Sequence, residues 1–160
     1  MKKLLLLPVL VFVLSGVVSA QTNAIDFKHS FGVNTKINPD QMEYYVPIWL
    51  NEKTIVSPFL AVQFNRNFET DNSSIGLGLK RYLIQPRTAA PFVNFDTGYS
   101  YNLNQGFVGL GFGGDYFISK QFSIGAELNT RYTFRDVGTR LGVGIDNFMV
   151  LPGISFGIHF

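Results

Sequence analysis

The chain ends in Phe148-Met149-Val150-Leu151-Pro152-Gly153-Ile154-Ser155-Phe156-Gly157-Ile158-His159-Phe160, and the reading of this stretch decides the fold. Its even positions are Phe148, Val150, Pro152, Ile154, Phe156, Ile158 and Phe160, while its odd positions include Gly153, Ser155, Gly157 and His159. A period of two sends alternate side chains to opposite faces of an extended chain. The segment is therefore predicted to be a strand with one continuous apolar face and one face of small or polar residues.

The same period recurs upstream. Phe122, Ile124, Ala126, Leu128, Thr130 and Tyr132 alternate with Gln121, Ser123, Gly125, Glu127, Asn129 and Arg131. Val108, Leu110, Phe112, Tyr116 and Ile118 alternate with Gly109, Gly111, Gly113 and Asp115, and Val93 to Tyr101 and Ile75 to Leu79 follow suit. Weaker strands are predicted over 27–36, 43–51 and 54–64, which makes eight. Short links at Asn51-Glu52-Lys53, Gln85-Pro86-Arg87 and Ser119-Lys120 alternate with longer polar ones at 34–42, 65–74 and 135–147. Such punctuation suits an up-and-down meander. The brief link Tyr101 to Gln105 departs from that alternation.

Composition narrows the class. Of 160 residues, 46% are hydrophobic and only 15% charged, with 16 Phe, 16 Gly and no Cys. The charged fraction lies well below the roughly 25% of ordinary soluble domains, and neither disorder nor a charged helical bundle fits. Lys2 and Lys3, the apolar run Leu4 to Val13 and the small residues of Val18-Ser19-Ala20 read as an export signal, with cleavage expected between Ala20 and Gln21. Residues 1–20 are thus the expected leader and 21–160 one barrel domain. Losing Lys2 and Lys3 leaves 11 basic against 11 acidic residues, a balance that gives no electrostatic footprint for nucleic acid. The absence of Cys excludes disulfides and thiolate metal sites. No later segment is long and apolar enough for a spanning helix, so membrane insertion has to use strands.

A soluble carrier barrel turns its apolar face inward around a ligand, whereas a membrane barrel turns it outward. Here the apolar face is the bulkier one, and glycines crowd the other. Strands placed in lipid must also close on themselves, because unpaired backbone groups there cost several kcal/mol each. These arguments predict an all-β, eight-stranded antiparallel transmembrane barrel. Lys80, Asp96, Glu127 and Arg131 then fall on the lumen side near mid-strand, with Lys28, Glu43 and Asp115 nearer the ends. An eight-stranded lumen is filled by side chains, so these charges are expected to form a paired polar network, with Lys80 and Asp96 the leading pair. A gate or proton path is the functional alternative for the same residues.

Tyr44, Tyr45, Trp49, Tyr82, Tyr99, Tyr101, Tyr116, Tyr132 and Phe160 cluster toward strand ends, where interfacial girdles would place them. Arg81 points outward near one end and can snorkel. Pro47, Pro58 and Pro152 conflict with a closed barrel, which has no edge to hide a missing donor, and are expected to mark bulges or strand boundaries.

The eight alternating strands, the segment Gly113-Gly114-Asp115-Tyr116-Phe117-Ile118-Ser119-Lys120-Gln121-Phe122-Ser123-Ile124-Gly125-Ala126-Glu127-Leu128 and the terminal Phe160 resemble the outer-membrane-protein β-barrel family, which includes OmpX and the OmpA barrel. Phe156, Ile158 and Phe160 match the pattern by which the outer-membrane assembly machinery recognises its clients, with Ser155 where a glycine is common. The resemblance implies a Gram-negative outer-membrane location, export through the periplasm, and outer-membrane lipid, lipopolysaccharide and the assembly machinery as partners. It does not imply one activity.

Outer-membrane acyltransferases and deacylases are similar in size but rely on His with Ser and a carboxylate. Only His29 and His159 exist here, both expected near periplasmic strand ends and away from the outer leaflet, and no nucleophile elbow, metal-spaced His pair or phosphate loop is present. Gly109-x-Gly111-x-Gly113-Gly114 lies within a strand and opens no helix, so it is not a nucleotide site. The expectation is a monomeric, non-enzymatic barrel without cofactor or metal, with a structural or surface-interaction role carried by the loops at 65–72 and 135–146. A narrow porin-like channel and a secreted lipocalin-like carrier of apolar ligand are the alternatives.

Overall fold

The computed structural model describes residues 29–39, 41–64, 70–135 and 147–160. The expected leader, Lys28 and most of the loops at 65–72 and 135–146 lie outside them. Nine strand segments form one antiparallel sheet: β1 (Gly32–Ile37), β2 (Gln41–Tyr45), β3 (Ile48–Asn51), β4 (Thr54–Phe64), β5 (Thr70–Tyr82), β6 (Ala89–Ser100), β7 (Gln105–Phe117), β8 (Phe122–Arg135) and β9 (Asn147–His159). The strands from β4 to β9 pair in chain order, β9 pairs β1, β1 pairs β2, and β2 pairs β4. That last pairing closes the ring.

β2 and β3 are two halves of one wall strand interrupted at Val46-Pro47. Both pair with β4, and the backbone N–H groups of Gly32 and Trp49 carry the contact past the break, to Pro47 O (2.8 Å) and Ser30 O (3.1 Å). The barrel thus has eight strands, all antiparallel, each paired on both sides. Three links gather at the end that carries Ser30 and Phe160, here the termini end. Tyr101 to Asn104 makes the one described tight turn at the opposite, loop end, with Asn104 in the left-handed region (φ 51°) that Asn tolerates.

The prolines do not mark bulges. Pro58 pairs Leu77 and Pro152 pairs Leu128 in unbroken register. In an antiparallel ladder a residue's N and O face the same neighbour. Val46 N–H donates to Pro58 O (3.0 Å), so the donor that Pro58 lacks faces the interruption at Val46-Pro47. Phe160 N–H donates to Phe31 O, so alternation turns the nitrogen of Pro152 toward β1, beyond its last pair, Ile37 with Ile154. Pro91 follows the same rule: its carbonyl accepts from Leu83, just past the end of β5. Each proline sits where its neighbour is already broken or finished. Only Pro47 coincides with a strand boundary.

The two faces separate as the alternation requires. Leu110 (65% exposed), Phe148 (67%), Leu77, Phe95, Phe112, Val150 and Ile154 point outward. Glu43 (0%), Asp96 (2%), Lys36, Asp115 and Arg131 point inward. A wall apolar outside and charged inside is stable only with hydrocarbon around it, which makes this a transmembrane barrel.

Candidate functional site

The lumen is built in layers from the inward residues of the strands. Nearest the loop end, Ser74 and Ser100 share a hydrogen bond (2.7 Å), and Phe59, Ala61 and Phe107 form an apolar layer. The rings lie over glycines: a Cβ on Gly76 would strike Phe59, and one on Gly98 would strike Phe107.

Below this layer lies the charge network. Arg131 from β8 reaches Asp96 on β6 (2.5 Å) and Glu43 on β2 (3.1 Å), and its guanidinium packs 4.3 Å from the centroid of Phe107. Lys36 from β1 reaches Glu43 (2.5 Å) and Glu127 on β8 (2.8 Å), and Tyr45 hydrogen-bonds the Glu43 carboxylate. Asn129 donates to Asp96 (3.2 Å). The chain Asp96–Arg131–Glu43–Lys36–Glu127 crosses the bore from wall to wall. Gly109 makes room for it, since a Cβ there would collide with the Asp96 carboxylate. Charges buried this deeply are tolerable only when each is paired and hydrogen-bonded.

Nearer the termini end, Lys80 pairs Asp115 (3.0 Å), which also accepts from the Tyr82 hydroxyl (2.6 Å), and the Lys80 ammonium sits 3.9 Å from the Phe92 ring centroid. An aromatic plug closes the bore there. Trp49 stacks on Tyr82 (5.7 Å, 18°), Phe117 packs on His159 (5.6 Å), and His29 on both Trp49 (5.6 Å) and His159 (5.3 Å). Ser123 Oγ and His159 Nε2 lie 2.8 Å apart within this layer, both buried. Burial holds the His29 imidazole, which precedes β1, below its ordinary range.

Lys80, Asp96, Glu127 and Arg131 all face the lumen, but they do not form one cluster. Lys80 does not meet Asp96: Lys80 is opposite Asn94, Asp96 is opposite Gly78, and Lys80 turns instead to Asp115. Lys36, absent from the sequence-based network, is its second cation, and Glu43 its central carboxylate. Both were accessible through parity, since Lys36 and Lys28 share a face, as do Glu43 and Tyr45. The same parity corrects the girdle. Tyr45, Trp49 and Tyr82 fill the lumen, because rings opposite small residues occupy a bore that ion pairs alone leave open. Tyr44, Tyr101, Tyr116, Tyr132 and Phe160 are exposed outside. Phe156, Ile158 and Phe160 form an outward stripe on the last strand. The carrier alternative, which needs an apolar interior, meets ion pairs across the lumen of the described residues.

No family model matches the chain, and no curated protein matches its sequence. Among solved structures, the chain is similar to the solution NMR structure of the de novo designed TMB2.3, with TM-score 0.56 and 9% identity over 84% of this chain and 97% of that one. It is also similar to the crystal structure of Neisserial surface protein A, with TM-score 0.55 and 9% identity over 81% of this chain and 93% of that one. At this identity the likeness is one of fold.

Proposed function

We propose that the chain is an integral outer-membrane barrel of a Gram-negative envelope, monomeric and non-enzymatic, with a filled lumen and a structural or surface-interaction role. The observation that carries this reading is the network Asp96–Arg131–Glu43–Lys36–Glu127, which bridges the bore while the outer wall is predominantly apolar. A bridged bore argues against diffusive passage of solutes. Ser123 and His159 are buried inside the barrel, with Trp49 and Phe117 packed on the imidazole, a poor place to meet a lipid ester. The outward stripe Phe156, Ile158 and Phe160 fits a client of the assembly machinery, and the apolar belt fits lipid and lipopolysaccharide acyl chains.

Planar-bilayer recording on refolded protein tests the filled lumen. Membrane insertion without discrete conductance steps is expected. Regular steps of uniform size would move the reading to a narrow porin-like channel. Deletion of 137–144 in a barrel that still assembles tests the surface role: adhesion of expressing cells should fall, and unchanged adhesion would remove that loop from the proposal.

A further inference from the structure

Among the described residues, the outer wall carries one charged side chain, Arg81. It stands on β5 between Leu79 and Leu83, both exposed, and so lies on the face that meets acyl chains. Its Nη1 donates to Thr54 Oγ1 on β4 (3.2 Å), the residue directly across the ladder. Every other cation described on a wall strand, Lys36, Lys80 and Arg131, has a carboxylate, whereas no ion pair among the described residues includes Arg81. A cation on the lipid face is costly at mid-bilayer and tolerated near the interface, where a long side chain reaches the headgroups. The planar fork of a guanidinium fits a phosphate there.

The turns at the same end repeat this chemistry around the barrel. Three short turns join wall strands there, at 51–53, 85–87 and 119–121, and each holds a cation: Lys53, Arg87 and Lys120. Each turn is directly preceded by an exposed aliphatic residue, Leu50, Ile84 or Ile118. Among the described residues outside the lumen, this end has four basic side chains against one acidic, Glu52, whose carboxylate accepts from Gln85 (3.0 Å). The segments at the loop end, 38–41, 65–72 and 135–146, reverse the balance with five acidic and three basic residues. An apolar ring followed by a cationic one, repeated on successive hairpins, fits a flat anionic surface that surrounds the barrel. A compact acidic protein would need its cations gathered on one side.

We infer that the rim at the termini end binds anionic phospholipid, with a headgroup phosphate seated on Arg81 beside Thr54 and further headgroups held by Lys53 and Lys120. The inference takes the transmembrane barrel as its premise and adds the chemistry of the leaflet at that end.

The test folds the full chain in detergent micelles that hold equal amounts of phosphatidylglycerol and phosphatidylcholine with the same acyl chains, and reads the retained lipids by native mass spectrometry. The heat-dependent gel shift reports in every sample whether the barrel is folded. A basic residue beside an anionic surface favours binding by about fivefold, so retained phosphatidylglycerol should exceed phosphatidylcholine by at least that factor. Arg81→Leu should lower the ratio by about the same factor, and Lys120→Gln by less, with the gel shift kept in both. Because Leu at 81 merely extends the apolar wall, a purely structural role for Arg81 would leave the ratio unchanged. Equal retention of the two lipids by the parent would overturn the inference, as would a preference that Arg81→Leu leaves intact. Loss of the preference on adding inorganic phosphate at constant ionic strength would reassign Arg81 to a free anion. Absence of the gel shift in the parent would instead remove the barrel on which the inference stands.

Discussion

Replacing Arg131 by Met would leave the buried carboxylate of Asp96 without its cation, only the Asn129 amide still donating to it, and would take one of two cations from Glu43, which keeps Lys36. Breaking a buried pair from one side costs about 3–5 kcal/mol, because the remaining charge is left uncompensated. Urea unfolding of Arg131→Met in detergent should show a loss of that size. Lys80→Met should lose clearly less, since Lys80 is partly exposed and Asp115 keeps its bond from Tyr82. Equal losses would contradict the ranking of the two pairs. His29 supplies a pH dependence at the same scale. Its folded pKa lies below the usual 6.5, so the unfolded chain takes up the proton more readily. This contribution is complete above about 6.5 and is lost as pH falls toward the lower folded value. His29→Gln should therefore narrow the difference in melting temperature between neutral pH and about pH 5; an unchanged difference would remove His29 from the acid response. Parity puts Lys80, Asp96, Glu127 and Arg131 on one face of their strands, and in the structure all four face the lumen. It says nothing of height along the bore, which strand register sets, and so the partner of Lys80 was not legible.

At the scale of the strand, alternation carried nearly all the information. Strands from Ile75 to Phe160 are readable because most of their apolar residues face lipid and most of their small or polar ones face a crowded bore, with Phe92, Phe107 and Phe117 the inward rings that fill it. Pro47 lies at a strand boundary, one of the two places expected for it, but the place of Pro58 and Pro152 inside unbroken strands was not readable, because a proline signals a missing donor without saying which neighbour faces it. The structure answers that: Pro58, Pro91 and Pro152 all aim at a gap or an end in the adjacent strand. Pro58→Ala should consequently change stability by less than about 1 kcal/mol, as the restored N–H meets only an already interrupted strand. Leu77→Pro, at the residue opposite Pro58, should cost several kcal/mol, because it removes a donor from an intact ladder within hydrocarbon. Comparable effects of the two substitutions would contradict this account of proline placement.

The whole molecule inverts the usual distribution of a soluble domain, with its large apolar side chains on the outside and its charges within. That inversion follows from the strand faces, from closure through β1 with β9 and β2 with β4, and from the ion pairs that fill the bore. The surface role proposed for the loops at 65–72 and 135–146 rests on segments where composition is nearly all that the residues offer. The most direct measurement is the gel mobility of protein extracted from the membrane fraction, with and without boiling in detergent. A closed membrane barrel should remain folded in unboiled detergent and migrate differently after heating. Recovery in the soluble fraction, with the same mobility before and after boiling, would contradict the assignment of the apolar face to lipid.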